Sequence, residues 1–90
     1  MPKVGQFCRG YYSGPNGTHC LRGWVMEAFP YGPARDKARE KLSAITKGRG
    51  ASDIVDFNDC IAKDDAERVA VWDEAMAALG YERTEEPWTR

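Results

Sequence analysis

The sequence lacks the features that would place it in several large protein classes. It has no apolar run of the roughly 18 residues that a membrane-spanning helix needs. Residues 1–10 contain no long apolar stretch of the kind found in secretory signals. A chain of 90 residues is also too short for a multidomain enzyme. We therefore expect one small cytoplasmic domain over residues 1–80, followed by a C-terminal tail over 81–90.

Cysteine and histidine are scarce, and their spacing is not that of a metal site. The chain has Cys8, Cys20 and Cys60 and one histidine, His19. None of them forms the close CxxC or HxxxH pairs that are typical of zinc sites. We expect reduced thiols, no metal and no other cofactor. Because His19 has no evident partner and no nucleophile motif or phosphate-binding P-loop is present, the sequence predicts a protein that is not an enzyme.

Charge is distributed unevenly along the chain, although the net charge is only −1. Residues 1–50 carry nine basic and three acidic residues, a net of +6, and residues 51–90 carry four basic and eleven acidic residues, a net of −7. Two explanations are open: the first half binds an anionic partner, or the two halves attract each other within the fold or between protomers. A pI near 5.8 argues against general nucleic-acid binding.

The first third of the chain predicts an extended segment, a turn and a helix. The aromatic-rich residues 4–12 favour a strand or an extended segment, and a dense turn cluster follows over 13–17. Thr18 is placed to cap the first helix. A glycine inside a helix is unfavourable by about 1 kcal/mol relative to alanine, so Gly23 requires a reason, and we expect the close approach of another backbone.

Two further helices carry clear boundary signals. The second helix is predicted over residues 33–47, with Pro33 at its first position and Gly48 as its stop. Asp64 and Glu67 form a capping-box pattern at the start of the last helix, and Gly80 ends it.

A short segment over 53–58 separates the second helix from the last one. Its β-branched centre predicts a short strand or an extended buried segment. The whole chain is thus predicted as a mainly helical α+β domain with an extended N-terminal segment, three helices and a short central extended segment. Trp24 and Trp72 lie on apolar stripes, which leaves both the core and an interface open for them.

Two short runs and the final helix stand out together. The runs are His19-Cys20-Leu21-Arg22-Gly23 and Phe57-Asn58-Asp59, and the final helix carries Val69 and Ala75. Over roughly residues 7–79 this combination resembles a small domain family of unknown function found in actinobacteria and their phages. Phe57 stands in place of that family's Trp, and Trp24 in place of its Ala. The resemblance implies a phage or bacterial origin, but it supplies no activity and no catalytic residue.

The basic second helix and the loop after it form the candidate binding surface. Like-charge pairs four residues apart, such as Arg35 and Arg39, do not stabilise an isolated helix, which suggests that something external compensates them. A guanidinium binds carboxylate or phosphate through two parallel hydrogen bonds, and tyrosines nearby in sequence can stack on a ligand. The competing explanation is that these cations pair with the acidic second half. The candidate binding residues are Arg35, Arg39, Lys47, Arg49, Tyr11, Tyr12 and Tyr31.

Two non-enzymatic functions are compatible with these features. The first is a phage-type interaction protein that binds and modulates a host protein stoichiometrically in the host cytoplasm. The alternative is an oligomeric protein that sequesters an anionic, nucleotide-like small ligand with its basic helix and tyrosines. The thin core of so short a chain and the opposite charges of its halves also predict a two-fold homodimer.

Overall fold

Helices form most of the part of the chain that this computed structural model describes, namely residues 6–14, 17–29 and 32–81. The helices are α1 (Leu21–Ala28), α2 (Pro33–Gly48), α3 (Ile54–Asp56) and α4 (Asp65–Ala78), and a π-helical turn over Phe57–Ile61 directly follows α3. The prediction of a mainly helical chain is confirmed. Within the described ranges, no helix is long and apolar enough to cross a membrane.

The first helix begins later than a Thr18 cap predicts. Its N-cap is Cys20, whose backbone is extended (φ −76°, ψ 174°) and whose Sγ accepts a hydrogen bond from the N–H of Gly23 at 3.4 Å. Just before it, the carbonyl of His19 accepts a hydrogen bond from the N–H of Cys8 at 3.1 Å. The Thr18 prediction is wrong because this pairing with the N-terminal segment keeps the preceding residues out of the helix.

The N-terminal segment is extended only in part. Isolated bridges join Phe7 and Ser13 to His19, and no regular strand occurs in the described part of the chain. Within the described residues, the β component of the domain therefore consists of these two bridges.

The central segment over 53–58 is helical, so the predicted short strand or extended segment is wrong. Asp53 caps α3 by accepting a hydrogen bond from the N–H three residues further on, at 2.7 Å. Ile54 and Phe57 are 3% and 2% exposed. A spacing of three places both side chains on one side of a helix, whereas a strand would point them to opposite faces.

The ends of α2 and α4 agree with their local signals. Pro33 is the first residue of α2 and Gly48 is its last, one residue beyond the predicted range. Asp64 caps α4 by accepting a hydrogen bond from the N–H of Glu67 at 3.0 Å, and the Glu67 carboxylate accepts an N–H of the preceding loop. Gly80 follows α4 with a left-handed backbone (φ 94°). The tail over 82–90 lies outside the described residues, so the domain boundary at residue 80 stays a prediction.

Trp24 and Trp72, for which the sequence left both the core and an interface open, lie in the core. Trp24 is 1% exposed and Trp72 is fully buried. The other large apolar side chains that are fully buried with them are Leu21, Val25, Leu42, Phe57, Val71 and Met76. α2 packs against both α1 and α4. The backbones of α1 and α2, from which surface side chains project, are therefore held in place by packing.

Candidate functional site

A bend of the N-terminal segment carries two exposed tyrosines. Tyr11 is 67% exposed and Tyr12 is 54% exposed. The backbone of Tyr12 is nevertheless fixed, because its carbonyl accepts a hydrogen bond from the N–H of Cys20 at 3.3 Å and lies against α1 at Gly23. The predicted close approach of another backbone at Gly23 is confirmed, and it holds Tyr12 beside the start of α1.

One cavity lies next to Tyr12, where the bend, α1, α2 and the start of α3 meet. Its volume is about 160 Å³, and its lining consists of Tyr12, Arg22, Arg39, Ser43, Asp53, Ile54 and Val55. Arg22 belongs to α1 and Arg39 to α2, so side chains from two packed helices share one small space. We call it the arginine cavity.

The two arginines of this cavity lack partners among the described residues. The Nη1 atom of Arg22 is buried and makes no hydrogen bond there. Neither Arg22 nor Arg39 forms an ion pair with any residue in the described ranges. A buried donor left without a partner is unfavourable by about 1–3 kcal/mol, and by more when it is charged. Neither guanidinium of the lining is therefore neutralised by an ion pair within the described residues.

Asp53 brings a carboxylate to the same lining. Its Oδ1 accepts the N–H of Asp56 at 2.7 Å as the cap of α3. Within the described residues, no ion pair joins Asp53 to Arg22 or Arg39. Two guanidinium groups and one carboxylate give the lining a formal charge of +1 at neutral pH. The arginine cavity is therefore suited to one negative charge.

The volume of the arginine cavity limits what it can hold. Pockets for drug-sized ligands span roughly 300–1,000 Å³, whereas this one measures about 160 Å³. A carboxylate or phosphate group fits such a space, and a planar guanidinium is shaped to bind either of them. A whole nucleotide is too large to be enclosed there.

Two of the predicted binding arginines are engaged within the fold. The Nε of Arg35 donates a hydrogen bond to the carbonyl of Phe29 at 2.9 Å, just beyond the end of α1. The Nη2 of Arg49 lies 3.3 Å from Oε1 of Glu74. Arg49 thus makes one contact of the kind that the competing explanation expects, a pairing with the acidic second half of the chain. Its predicted binding role stays a prediction.

The structure brings Tyr12 and Arg39 into the lining of one cavity, and the other candidates that it describes do not line that cavity. Lys47 is exposed near the end of α2 and does not line the arginine cavity. Tyr11 is the neighbour of Tyr12 in the bend and is exposed to solvent. Tyr31 lies outside the described residues, so its predicted role stays a prediction.

Arg22 is the residue of the site that sequence reasoning missed as a binding candidate. It is the only basic residue of α1, whose other residues are mostly apolar. A single cation in a mostly apolar helix indicates a partly buried charge that needs a partner, because charged residues are rarely buried unless they are paired. Its neighbourhood with Arg39, however, depends on how α1 packs against α2.

His19 has partners that the sequence did not reveal, so the expectation of a histidine without partners is wrong. Its Nδ1 lies 3.0 Å from Oγ of Ser13, and its Nε2 lies 4.0 Å from Oε2 of Glu27. Its ring meets that of Trp24 edge-on, with 4.5 Å between the ring centroids. These contacts hold the imidazole between the N-terminal segment and α1.

The three cysteines differ in burial and in the contacts of their thiols. Cys20 is buried, and this burial raises the pKa of its thiol, which is opposite to the shift that activates a nucleophilic cysteine. Cys8 donates from Sγ to the carbonyl of Tyr11 at 3.4 Å, and Cys60 is exposed. Among the residues that the structure describes, no three His, Cys, Asp or Glu side chains are grouped so as to hold a metal ion.

Comparison with known proteins gave no match, whether the chain was compared with family models, with curated proteins or with solved structures. The resemblance to an actinobacterial and phage domain family stays a prediction. The function is therefore argued from the geometry of the site.

Proposed function

We propose that the protein is a non-enzymatic interaction protein that binds one partner protein stoichiometrically through an acidic face of that partner. The binding surface is formed by Tyr11, Tyr12, Arg22 and Arg39, which we call the tyrosine–arginine surface. The observation that carries the proposal is the position of two exposed tyrosines beside a cavity whose two arginines have no described partner.

Tyrosine and arginine are the residue types best suited to such a surface. They are enriched among the few residues that dominate the free energy of protein–protein binding. A tyrosine contributes a large contact area with few rotatable bonds, and Tyr11 and Tyr12 are the two most exposed large aromatic side chains in the described ranges. Arg22 and Arg39 add an electrostatic requirement, since a face without negative charge leaves their charges unpaired.

The biological setting follows from the sequence resemblance. A phage product of this size acts most directly by occupying a surface of a host protein in the host cytoplasm and thereby modulating that protein. One carboxylate of the acidic second half, Glu74, pairs with Arg49, and neither of these residues lines the arginine cavity. Asp53, from the same half, does line it, and the two arginines still leave the lining with a formal charge of +1.

The alternative function is the sequestering of an anionic, nucleotide-like ligand by an oligomer. The two arginines of the cavity favour it, because a phosphate group could lie between them. The cavity volume of about 160 Å³ opposes it, because the base and sugar would have to lie outside on Tyr12. A thermal-shift screen separates the two functions, since a nucleotide that binds the folded state must raise the melting temperature.

Site-specific photo-crosslinking in actinobacterial cells tests the proposed function. A photo-crosslinking residue replaces Tyr11 in one version of the full chain and the exposed Ala70 of α4 in another. We expect one protein to be captured from position 11 and not from position 70, and the purified pair to form a complex of equal stoichiometry. Equal capture from both positions, together with a nucleotide-dependent rise in melting temperature, would favour the sequestering function instead.

Two charge-reversal variants of α2 make the test specific. Arg39→Glu changes the tyrosine–arginine surface and should abolish complex formation. Lys37→Glu makes the same change of charge at an exposed position of the same helix that does not line the arginine cavity. It should leave the complex intact. Loss of the complex in both variants would mean that the net charge of the helix, and not the arginine cavity, attracts the partner.

A further inference from the structure

We infer that the arginine cavity is a receptor for a single carboxylate group, the side chain of a glutamate or aspartate on the partner protein. This inference rests on the proposed function and adds the chemical identity of the group that is recognised. Four properties carry it: the two arginines, their lack of described partners, the charge of the lining and the cavity volume.

Both arginines line the same cavity and project from packed helices. Arg22 lies between two buried residues of α1, Leu21 and Gly23. Gly23 packs against the Tyr12 carbonyl, so packing fixes the backbone of Arg22. Arg39 follows the fully buried Ala38 on α2. A binding group on a packed helix keeps its geometry without loss of loop entropy on binding.

The charge of the lining distinguishes a carboxylate from a phosphate monoester. Arg22, Arg39 and Asp53 together carry a formal charge of +1, which one carboxylate neutralises. A phosphate monoester near pH 7 carries close to two negative charges, which leaves an excess negative charge beside the Asp53 carboxylate. The lining therefore favours the monoanion.

The remaining lining residues agree with a carboxylate on a short apolar stem. Ser43 and Tyr12 bear hydroxyl groups, which can donate to any of the roughly four acceptor positions of a carboxylate that the guanidinium groups leave open. Ile54 and Val55 give the cavity an apolar wall against which the methylene groups of a glutamate side chain can pack.

The test is a titration of the full chain, followed through the Nε–Hε signals of its arginines by NMR. The probes are N-acetylglutamate amide, which has one carboxylate, its neutral counterpart N-acetylglutamine amide, and N-acetylphosphoserine amide. We expect saturable shifts at Arg22 and Arg39 with the glutamate probe, and a dissociation constant on the order of millimolar, as is usual for one small group. The glutamine probe should cause no saturable shift, and the phosphoserine probe should bind more weakly than the glutamate probe.

Substitutions make the assignment specific to the arginine cavity. Arg39→Gln should weaken glutamate-probe binding by roughly tenfold, because a charge-assisted pair of hydrogen bonds is lost. Lys37→Gln, the matched loss of one charge outside the lining, should change the affinity by less than about twofold. Arg22→Gln should act like Arg39→Gln, and if that variant does not fold, Arg39→Gln alone decides the question.

The possible results divide clearly. Equal binding of the glutamine probe, tighter binding of the phosphoserine probe, or undiminished affinity in Arg39→Gln would each overturn the carboxylate assignment. Failure of the proposed function looks different, because the glutamate probe would then bind as expected while no protein is captured at position 11. Conversely, capture of a partner by a chain whose arginine cavity binds no carboxylate would leave the proposed function standing without this inference.

Discussion

The carbonyl oxygen of Tyr12 occupies the space that a side chain at Gly23 would need, since a Cβ atom built at Gly23 would lie 1.9 Å from that oxygen. Real Cβ atoms essentially never approach a neighbouring atom within 3.0 Å. Any larger residue at position 23 must therefore push the bend away from α1. Because Tyr12 lines the arginine cavity, the packing of one glycine is linked to the geometry of the site.

Gly23→Ala should destabilise the protein although alanine is the better helix former. The displaced bend loses the hydrogen bond from Cys20 to Tyr12, and the overpacked contact should lower the free energy of unfolding by about 1–3 kcal/mol. Urea denaturation followed by circular dichroism measures this change. Gly48→Ala is the matched control, because a Cβ there meets nothing within 4 Å. It should leave stability unchanged or raise it by up to about 1 kcal/mol, and equal effects of the two substitutions would contradict the prediction.

Asn58 should prove to be one of the most sensitive positions in the chain. It is fully buried, its Oδ1 accepts the N–H of Leu21 at 3.0 Å, and its Nδ2 donates to the carbonyl of Cys8 at 2.9 Å. Its own carbonyl accepts two hydrogen bonds from Arg68, at 3.1 Å and 2.7 Å. Asn58→Ala leaves the partners of its side chain without hydrogen bonds and should lower the free energy of unfolding by about 2–4 kcal/mol.

Thermal and urea denaturation of Asn58→Ala test this value. Ser52→Ala in the loop before α3 is a suitable control, because Ser52 is exposed and only its backbone N–H donates, to Asp56. The control should change the free energy of unfolding by less than about 0.5 kcal/mol. A cost below about 1 kcal/mol for Asn58→Ala would mean that water or another side chain replaces its contacts.

The elements that could be predicted from sequence are those whose ends depend on neighbouring residues alone. Pro33 and Gly48 bound α2, and Asp64 and Glu67 cap α4, through signals that lie within one turn of the helix end. The start of α1 was misplaced because distant contacts decide it. Its first N–H, that of Leu21, is capped by a residue 37 positions away.

The segment over 53–58 and the arginine cavity were missed for the same physical reason. A segment this short has too few residues to distinguish helical from alternating periodicity, so the burial of Ile54 and Phe57 is decided by packing. Tyr12 and Arg39 could be named as candidates from their residue type. Their meeting with Arg22 required the packing of α1 against α2, which no local pattern encodes.

The three thiols should differ in reactivity in the order Cys60, Cys8, Cys20. Cys60 is exposed, Cys8 is half-buried, and Cys20 is buried with the pKa of its thiol raised. With a colorimetric disulfide reagent at neutral pH, we expect one fast thiol that disappears in Cys60→Ser and one thiol that reacts only on unfolding. Fast reaction of all three thiols in the native protein would contradict the buried position of Cys20.

The raised pKa of Cys20 also predicts a pH dependence of stability. Below the ordinary thiol pKa, Cys20 is protonated in both the folded and the unfolded state and has no effect on the pH dependence. As the pH rises above that value, the unfolded chain ionises first, so the free energy of unfolding should fall. Cys20→Ser has no thiol at this position and should show a smaller decrease between pH 8 and pH 10. Identical slopes for the two proteins would contradict the assignment.

Formation of a two-fold dimer stays a prediction, and fewer residues are available to support it than the sequence suggested. Trp24 and Trp72 are buried and are not free to form a dimer interface, so the prediction rests on the thin core and the opposite charges of the two halves. A dimer held by charge should give a mass near twice 10.1 kDa in light scattering at low salt. It should approach the monomer mass at about 0.5 M salt, where charges are strongly screened. A monomer mass at low salt and tens of micromolar protein would contradict dimerisation.

Arg39 and Arg49 should behave differently when each is reversed in charge, although both belong to the same basic segment. Arg49 pairs with Glu74, and the two side chains are 41% and 54% exposed, so Arg49→Glu should lower the free energy of unfolding by no more than about 1 kcal/mol. It should leave binding of the glutamate probe unchanged. Arg39→Glu breaks no described ion pair and changes the formal charge of the lining from +1 to −1, so its stability should stay near that of the wild type, while probe binding should be lost. Denaturation and the NMR titration measure the two effects separately. Unfolding of Arg39→Glu would show that Arg39 holds the fold together. Loss of probe binding in Arg49→Glu would show that Arg49 contributes to binding. Either result would contradict the division into a binding arginine, Arg39, and a structural one, Arg49.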